Sequence, residues 1–458
     1  MSSATTTEEL FQGPSADPYT LGVRAYIWGF PLVAAAGIRA YATRPEDPWA
    51  TRPATAPGGP INRLGHARRL CDHTFRSGVG PNNDTLYSTG WFDLADGPFV
   101  ITTPDFRSRY YTLSINRADS SADVSVGHRT HGGQLPPLVL HDARLTPDVP
   151  DGALPIPCST RYVLIAGRVL VEPGEDLASV HALQDGIETT LLDGSVPGVS
   201  PQRPFPAGRP TAVGADFLGL LGRVLQDWWV RPDEAELIAE FASIGLTTDR
   251  GFDRSAVAAE VLTAASEGIE AAAMVVERAS RRLGRERSGW TTNLDGQRFG
   301  SDHLLRAAVA KDQIYVAVPE AVFPVGQVDA AGESLTGTRR YRIRFRPGQF
   351  PPVRAFWSIT MYDDSGFMVD NPIDRFSIND RTPGLVADDA TVGSPSPFST
   401  TSPTQARQLA AQPARSALPD DAPLSTDSRG AERALEPSAD RTAAVRRARL
   451  SANERNRP

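Results

Sequence analysis

The stretch that decides the fold is RYYTLSIN, residues 109–116. Its apolar and hydroxyl-bearing side chains alternate between the two faces of an extended chain. This period of two is typical of an antiparallel strand with one buried and one solvated face. Further strand candidates are Phe99–Thr102 and Tyr162–Val171, and Pro, Gly and Asp separate the strands without intervening helices. The region 61–200 therefore predicts a β-sandwich rather than a parallel sheet.

The sequence before the sandwich predicts one long helix. Residues 1–16 have no helical pattern and are expected to be disordered, and residues 17–60 are expected to form a helix followed by a Pro- and Gly-rich loop. Asp17 is a suitable N-cap and Pro18 a suitable first helical residue. Pro31 lies inside the apolar pattern and predicts a kink or an end of the first half of this helix.

Helices and then a second β region follow the sandwich. Residues 201–305 carry three apolar stripes at helical spacing and predict a helical connecting segment. Residues 306–381 predict an incomplete jelly-roll domain. Within it, apolar and arginine residues alternate over 341–346, and the aromatic stretch 356–362 precedes the turn residues Asp-Asp-Ser-Gly.

The last segment, residues 382–458, is rich in Ser, Pro, Ala and Arg and contains a single aromatic residue, Phe398. Such a segment buries too little apolar surface to offset its ordering entropy, so we expect it to be disordered. Lys311 is the only lysine, a bias typical of GC-rich coding DNA. Out-of-frame reading of such DNA gives this composition, and we hypothesise a frameshift at about residues 384–395. A jelly roll interrupted there would leave open sheet edges.

Length and charge exclude several classes of protein. The 458 residues allow about three domains. The 47 basic and 54 acidic residues give a net charge of −7, so nucleic acid is not an expected partner. We see no signal peptide and no continuous apolar stretch of about 18 residues, and we expect a cytoplasmic protein without a membrane span. A homo-oligomer and a disulfide between Cys71 and Cys158 both stay open.

The familiar catalytic and cofactor motifs are absent. The sequence contains no G-x-S-x-G, no P-loop, no G-x-G-x-x-G after a strand, no H-E-x-x-H and no cysteine cluster. The nearest approach to a metal pair is His128-x-x-His131, for which the sequence fixes no third ligand. Two solvated loop histidines are the alternative. We therefore expect no cofactor and no metal.

The block PNNDTLYS, residues 81–88, contains the candidate catalytic base. In a structural role, its Asn, Asp and Thr residues bond to neighbouring backbone and fix the entry to a strand. In a functional role, Asn83 and Asp84 lie at the mouth of a pocket, Asp84 acts as a general base, and Tyr87 forms a wall. The sequence leaves both interpretations open.

Two arginines and two aromatic residues complete the candidate site. Arg109 and Arg129 lie near strand ends, where a guanidinium can clamp a substrate carboxylate or form an ion pair with an acidic side chain such as Asp84. Trp357 and Tyr362 belong to an aromatic strand that serves either as core or as a ligand platform.

Several of these blocks resemble two domain-of-unknown-function families, 1254 and 1214, which occur in tandem in bacterial proteins. The blocks similar to family 1254 are AYIWGFP (25–31), PNNDTLYS (81–88), RYY (109–111) and GHRT (127–130). The blocks similar to family 1214 are the strand at 341, FWSITMYD (356–363), and VDNP (369–372) through RFSI (375–378).

The resemblance implies an immunoglobulin-like β-sandwich, a helical connecting segment and a C-terminal jelly roll. It implies no settled activity. Relatives commonly begin with an export signal, which this sequence does not show. After residue 378 the sequence also departs from the strands that the second family leads us to expect.

Two functions remain. In the first, the protein binds or acts on a small polar molecule where the sandwich and the jelly roll meet, by hydrolytic or lyase-type chemistry, with Asp84 as base and Arg109 as charge stabiliser. Its ligand-binding residues would be Asn83, Tyr87, Arg129, Trp357 and Tyr362. In the second, the protein is a non-catalytic structural or assembly component whose polar blocks only lock the domains together.

Overall fold

The computed structural model describes residues 10–44, 53–312, 319–345 and 349–385, together with the backbone of 406–413. The chain divides into two compact units. The first comprises residues 1–71, 84–283 and 295–317, and the second comprises residues 72–83, 284–294 and 318–458.

A single buried helix, α1 (Pro18–Ala42), begins the first unit. The Asp17 side chain caps it by accepting a hydrogen bond from the backbone N–H of Thr20 at 2.9 Å, as the sequence predicts. The helix continues through Pro31, so the predicted end at that residue is wrong. Pro31 is itself buried, and we attribute the continuity to packing of the helix on most of its sides, which outweighs a local cost of about 3 kcal/mol.

The remaining helices of the first unit follow in chain order. They are α2 (His128–His131), α3 (Leu177–Asp185), α4 (Gly214–Leu225), α5 (Ala235–Glu240), α6 (Ala259–Ser280) and α7 (His303–Asp312). Helices α4, α6 and α7 pack directly against α1. Together with α5 these helices form a helical body, whose core includes Trp28, Phe217, Phe241 and Ile269.

Close approach of α1 and α6 depends on glycine. A Cβ atom at Gly22 would lie 2.1 Å from the carbonyl oxygen of Ala265, and one at Gly268 would lie 2.1 Å from that of Tyr19. Both distances are far below van der Waals contact. Any side chain at either glycine would therefore force the two backbones apart.

The residues just before α1 are ordered where the structure describes them. Leu10 and Phe11 pack against the helical core. The Nε atom of Arg24 donates to the carbonyl oxygen of Leu10 at 2.6 Å. The predicted disorder of residues 1–16 is therefore wrong for residues 10–16, whereas residues 1–9 lie outside the described part.

Helix α1 also has the length and apolar content of a membrane span, with a mean hydropathy of 1.4 over its most apolar window. The sequence analysis missed this because glycines, a tyrosine and arginines interrupt the apolar run. In the structure, 94% of that window is buried inside the protein. Core helices pass the same test, so length and composition alone are weak evidence for a span.

The β-sandwich consists of two sheets. The first has the order β1 (Gly65–His66), β2 (Thr85–Asp93), β8 (Tyr162–Leu170), β4 (Tyr111–Arg117) and β5 (Ala122–Gly127), all antiparallel. The second has the order β7 (Leu154–Cys158), β6 (Leu138–Asp142), β3 (Phe99–Thr102) and β9 (Glu188–Leu191), with β6 and β7 parallel.

One apolar core joins the two sheets. It contains Leu113 and Ile165 from the first sheet and Ile101 and Leu140 from the second. The alternation in β4 is thus confirmed, but its outer face is not solvated: Thr112 and Ser114 are both fully buried. The first sheet also contributes side chains to the core of the helical body, which covers part of its outer face.

A short antiparallel pair in the first unit consists of β10 (Leu246–Thr247) and β11 (Gly251–Phe252).

The second unit contains an antiparallel sheet. Its order is β12 (Arg285–Arg287), β13 (Trp290–Thr292), β14 (Val325–Gly326), β17 (Ala406–Pro413), β15 (Trp357–Asp363) and β16 (Ser377–Asn379). A complete jelly roll has two sheets, and the described residues of this unit contain one. The predicted fold class, two β regions joined by helices, is confirmed.

Several predictions for the second half differ from the structure. Strands β12 and β13 arise inside the segment predicted to be helical, and β17 lies inside 382–458, which we expected to be disordered. Residues 341–345 form no strand, although their exposure alternates as the pattern predicts, and residue 346 lies outside the described residues. The predicted turn after β15 is present, with the Gly366 N–H donating to the Asp363 carbonyl oxygen at 3.1 Å.

A buried ion cluster joins the sandwich to the helical body. Asp119, in the turn between β4 and β5, is 1% exposed. Its Oδ2 atom accepts from Arg306 of α7 at 3.1 Å and from Arg231 at 3.1 Å. Burial opposes ionisation of Asp119, but the two guanidinium groups outweigh it and lower the pKa of Asp119 below its ordinary value.

The first prediction concerns this cluster. Replacing Asp119 with alanine leaves the buried Arg306 guanidinium without its carboxylate, so we expect the free energy of unfolding to fall by about 3–5 kcal/mol. Urea denaturation at pH 7 measures the change. The control is Glu236→Ala on the exposed side of α5, for which we expect about 0.5 kcal/mol or less. A loss at Asp119 no larger than in the control would contradict the assigned role.

The second prediction concerns pH. Burial first, and then the Arg306 cation, lower the pKa of His303 from 6.5 to about 4, against smaller opposing effects of Asp119 and Asp233. Between pH 6.5 and 4, His303 is therefore protonated in the unfolded chain but neutral in the folded protein. The free energy of unfolding falls as the pH drops through this range. We expect His303→Gln to flatten this fall, by at most about 1.4 kcal/mol per pH unit. Denaturation curves from pH 4 to 8 test this. If the free energy of unfolding changes with pH equally in the wild type and in His303→Gln below pH 6.5, the prediction is refuted.

Candidate functional site

The predicted base, Asp84, is buried at the start of β2. Its side chain is 1% exposed, and its backbone carbonyl accepts from the N–H of Val171 at 2.9 Å. This bond ties the entry of β2 to the end of β8. The contact matches the structural interpretation of the block, whereas catalysis would require a substrate to reach a carboxylate that solvent barely touches.

Arg109 forms an ion pair, but with Glu175 rather than with Asp84. Its Nη1 atom donates to Glu175 Oε2 at 2.8 Å and to the Leu170 carbonyl at 2.7 Å, and its Nη2 atom donates to Glu175 Oε1. The hydrogen bonds from Arg109 lower the pKa of Glu175 to about 2. The bidentate pair holds the loop after β8 against the start of β4.

The other two predicted residues of the first unit lie on separate elements. Tyr87 is partly exposed on β2, with the guanidinium carbon of Arg168 5.6 Å from its ring centre. Arg129 lies in the short helix α2, and its Nη2 atom approaches the Ser125 carbonyl at 3.5 Å.

The remaining three predicted residues belong to the second unit. Trp357 on β15 is 7% exposed and packs against Phe345 and Phe350, at centroid distances of 5.8 and 6.1 Å. Tyr362 is 1% exposed, and its hydroxyl donates to the Pro81 carbonyl at 2.7 Å. Asn83 follows in the same segment, 72–83, which we assigned to the sandwich domain but which clusters with the second unit.

The structure thus brings Tyr362 next to Pro81, the first residue of the PNNDTLYS block. Trp357 lies among aromatic side chains, which fits a core role. Grouping of all seven residues in one pocket stays a prediction, and so do the roles assigned to them.

A histidine and a serine lie opposite each other on adjacent strands of the first sheet. His66 Nδ1 is 2.8 Å from Ser88 Oγ, and the Gln184 side-chain amide donates to the same hydroxyl at 3.2 Å. Burial, followed by the Arg68 cation, lowers the pKa of His66 to about 4, so the ring is neutral at pH 7. Ser88 is 0% exposed. The pair has the separation of a nucleophile and its base, but a substrate cannot reach the serine in this conformation.

The histidine and cysteine candidates show no metal or redox centre among the residues that the structure describes. His128 and His131 lie in α2, and no group of three or more potential ligands is found in the described ranges. Cys71 and Cys158 are both buried, and they do not form a disulfide with each other. Burial raises the pKa of the Cys158 thiol well above its usual range, which makes it unreactive.

A small cavity lies in the first unit where the sheet meets the helical body. Its volume is about 20 Å³, enough for one or two atoms of water size. We call it the Arg39 cavity. Its walls include Arg39, Trp91, Ala118, Arg161, Tyr162 and Trp228.

The C-terminal end of α1 positions Arg39 in this cavity. The guanidinium carbon lies 3.3 Å from the centre of the Tyr162 ring on β8, so the cation stacks on the ring. The residue is 6% exposed, and its Nε atom has no hydrogen-bond partner. Within the described ranges, its guanidinium donates no hydrogen bond at all.

Neighbouring charges in the cavity are paired. Arg161 binds Asp93 through two hydrogen bonds of 2.8 Å and approaches Asp227 at 3.2 Å. Arg203 also reaches Asp227, at 3.4 Å. Arg39 is buried as well, but no described residue accepts a hydrogen bond from its guanidinium or forms an ion pair with it.

A wider groove of about 620 Å³ runs along α6 and the segment 210–213. It is open to solvent and has no enclosing wall. Its acidic residue, Glu277, pairs with Lys311 and with Arg281, the latter at 3.3 Å. Because it is open to solvent, the groove offers less specific recognition than the Arg39 cavity.

Sequence reasoning missed the Arg39 cavity because its walls come from six separate parts of the chain. The only local signal is an arginine within the otherwise apolar end of α1. An arginine at a helix end is more often a solvated residue that complements the helix dipole. Only the fold buries it.

Comparison with protein-family models gives two matches. Residues 61–191 match "Protein of unknown function (DUF1254)", and residues 320–403 match "Protein of unknown function (DUF1214)". The second match extends beyond the predicted domain end at residue 381. It also continues past 384–395, which argues against a change of reading frame inside that interval.

Comparison with solved structures shows the fold. A protein from Vibrio parahaemolyticus is similar over 86% of this chain and 94% of its own, with 20% identity and a TM-score of 0.62. An uncharacterized protein from Burkholderia cenocepacia covers 90% of each chain with 10% identity, and its TM-score of 0.37 is too low to support any argument.

No curated protein matches the chain. The order of the two family matches is the order that the sequence blocks indicate. The chain therefore carries a DUF1254 domain followed by a DUF1214 domain.

Proposed function

We propose that the protein binds a small polar molecule and that the Arg39 cavity is the binding site. The observation that carries this proposal is a small cavity with both aromatic walls and a buried polar group. Trp91, Tyr162 and Trp228 supply the aromatic surface, and Arg39 supplies the polar group. Ligand sites in proteins commonly combine apolar walls with a few such polar groups that fix the orientation of the ligand.

The size of the cavity limits the part of the ligand that it can hold. About 20 Å³ accommodates a head group of a few atoms rather than a whole metabolite. Arg203 and Arg223 also line the cavity, and both are exposed. The rest of a ligand would therefore extend past these two side chains to solvent.

The sequence-based chemistry, with Asp84 as base and Arg109 as charge stabiliser, stays a prediction. For Arg109 to stabilise a substrate it would have to leave the bidentate pair with Glu175. A hydrolytic or lyase-type reaction at these residues thus requires a rearrangement of the loop after β8.

A specific observation favours the second candidate function, a non-catalytic role, for these same residues. Arg109 and Glu175 tie a loop to a strand, and the backbone of Asp84 ties β2 to β8. Both contacts hold neighbouring segments of the first unit together. They support a structural role for these polar residues without bearing on the Arg39 cavity.

The third prediction tests the cavity by filling it. Ala36 of α1 lines the cavity, and valine there adds two methyl groups to a space of about 20 Å³. A screen of small polar metabolites by thermal shift should first identify a compound that raises the melting temperature of the wild type. At 100 times its Kd such a compound stabilises by about 2.7 kcal/mol. We expect Ala36→Val to lose this response.

The matched control is Ala34→Val. Ala34 is equally buried on the same helix but does not line the cavity. Both variants introduce the same β-branched side chain and should lose similar stability from overpacking, about 1–3 kcal/mol. If a compound stabilises Ala36→Val as strongly as it does Ala34→Val, the ligand binds elsewhere and the proposal fails.

The fourth prediction separates the two roles of Asp84. From its burial we expect Asp84→Asn to lower the melting temperature while the protein still responds to the ligand found in the screen. Thermal unfolding with and without that ligand measures both effects. Loss of the ligand response at an unchanged melting temperature would instead support Asp84 as part of a binding site.

A further inference from the structure

We infer that the group held in the Arg39 cavity is a small monovalent anion of carboxylate size, bound by the guanidinium of Arg39. This inference rests on the proposed function and specifies the class of ligand. It is carried by the geometry and charge of the cavity.

The first argument is the contrast between two buried arginines of α1. Arg24 is 4% exposed, and its guanidinium donates to the carbonyl oxygens of Leu10 and Gly13 and to the Glu240 carboxylate. Arg39 is 6% exposed and donates no hydrogen bond to a described residue. A buried cation is costly unless it is paired and hydrogen-bonded. The cavity thus holds a cation without the anion that its burial calls for.

The second argument is the charge balance around the cavity. Four guanidinium groups line it, those of Arg39, Arg161, Arg203 and Arg223. Two carboxylates face them: Asp227 lines the cavity, and Asp93 binds Arg161. Within the described part of the chain this leaves an excess of positive charge, which favours an anion over a cation or a neutral molecule.

The third argument is the shape of the donor. Because the face of the Arg39 guanidinium stacks on Tyr162, only its edges remain for hydrogen bonds. A planar edge with two parallel N–H groups matches the two oxygens of a carboxylate. The small volume, about 20 Å³, favours a compact head group over a bulkier one such as phosphate.

Electrostatics agrees with this geometry. Burial is the largest influence on Arg39 and lowers the pKa of its guanidinium, while the nearby Tyr162, Asp227 and Asp93 only partly offset it. A bound anion would supply the missing compensation at close range and stabilise the folded state of the whole unit.

The fifth prediction uses acetate as the probe. In HEPES at pH 7.5, with ionic strength held constant by the sodium salt of HEPES, sodium acetate should raise the melting temperature of the full chain along a saturating curve. Arg39→Gln removes the cation, and we expect its acetate affinity to be about tenfold to a hundredfold weaker, as for loss of a charge-assisted hydrogen bond. Equal acetate responses in the wild type and in Arg39→Gln would overturn the inference.

Arg24→Gln is the matched control. It removes a buried arginine from the same helix and leaves Glu240 unpaired, so it should unfold at a lower temperature than Arg39→Gln in acetate-free buffer. It should nevertheless keep the acetate response of the wild type. A loss of that response in both variants would mean that it depends on the intact packing of α1 rather than on Arg39, and would also overturn the inference.

A measurement on the wild type keeps the test valid if Arg39→Gln does not fold. Chloride-35 NMR should show line broadening of sodium chloride by the protein, and acetate should reverse it by competition. Phosphate at equal ionic strength should compete poorly because of its size. Absence of broadening together with absence of an acetate shift would reject the anion site.

The outcomes also separate this inference from the proposed function. If neutral metabolites stabilise the wild type but not Ala36→Val, while acetate and chloride have no effect, the cavity binds a ligand but not an anion. If neither neutral compounds nor anions act through the cavity, both proposals fail.

Discussion

The buried ion cluster at Asp119 is the interaction on which the first unit depends. One carboxylate at the end of a sandwich strand binds two arginines of the helical segments, with almost no contact with solvent. Such a cluster adds little to stability relative to apolar packing, but it is costly to break because each partner would be left charged and buried. It therefore fixes where the sheet lies against the helices. Ala118, the residue before Asp119, is a wall of the Arg39 cavity, so the geometry of the cavity depends on the same junction.

The buried arginines of the first unit differ in whether the protein supplies acceptors for their guanidinium groups. This difference distinguishes arginines with a structural role from the one in the candidate site. Arg24 donates to two backbone carbonyls and Glu240, and Arg306 donates to Asp119 and to the Trp28 carbonyl. Arg39 has an aromatic ring beneath it and a cavity beside it, but no acceptor from the described residues. Burying a guanidinium without an acceptor lowers the stability of the folded protein. Proteins keep such groups where a ligand or a mechanism compensates for the cost. The site residues predicted from the sequence, by contrast, already have hydrogen-bond partners in the protein. Arg109 binds Glu175, and Tyr362 donates to the Pro81 carbonyl.

Local patterns predicted individual elements well where packing agrees with them. The cap at Asp17 and the apolar face of β4 are present because each depends on neighbours in sequence. The patterns failed where distant parts of the chain intervene. Pro31 does not end α1, since burial on most sides outweighs one lost hydrogen bond. The outer face of β4 is not solvated, since the first sheet is itself covered. The strand β17 pairs with β15 although the composition of its segment gives no β pattern.

The amino-acid sequence by itself determined the two β regions, the helices between them, the caps and turns, and the resemblance to two domain families in tandem. These follow from periodicities and blocks that span a few to a few tens of residues. Only the tertiary structure decided that Glu175 is the partner of Arg109, that Asp119 joins the sheet to the helices, and that Arg39 is buried beside a cavity. Each of these joins residues from 60 to nearly 200 positions apart. No local pattern encodes such contacts, because burial and ion pairing are set by which surfaces meet when the whole chain packs.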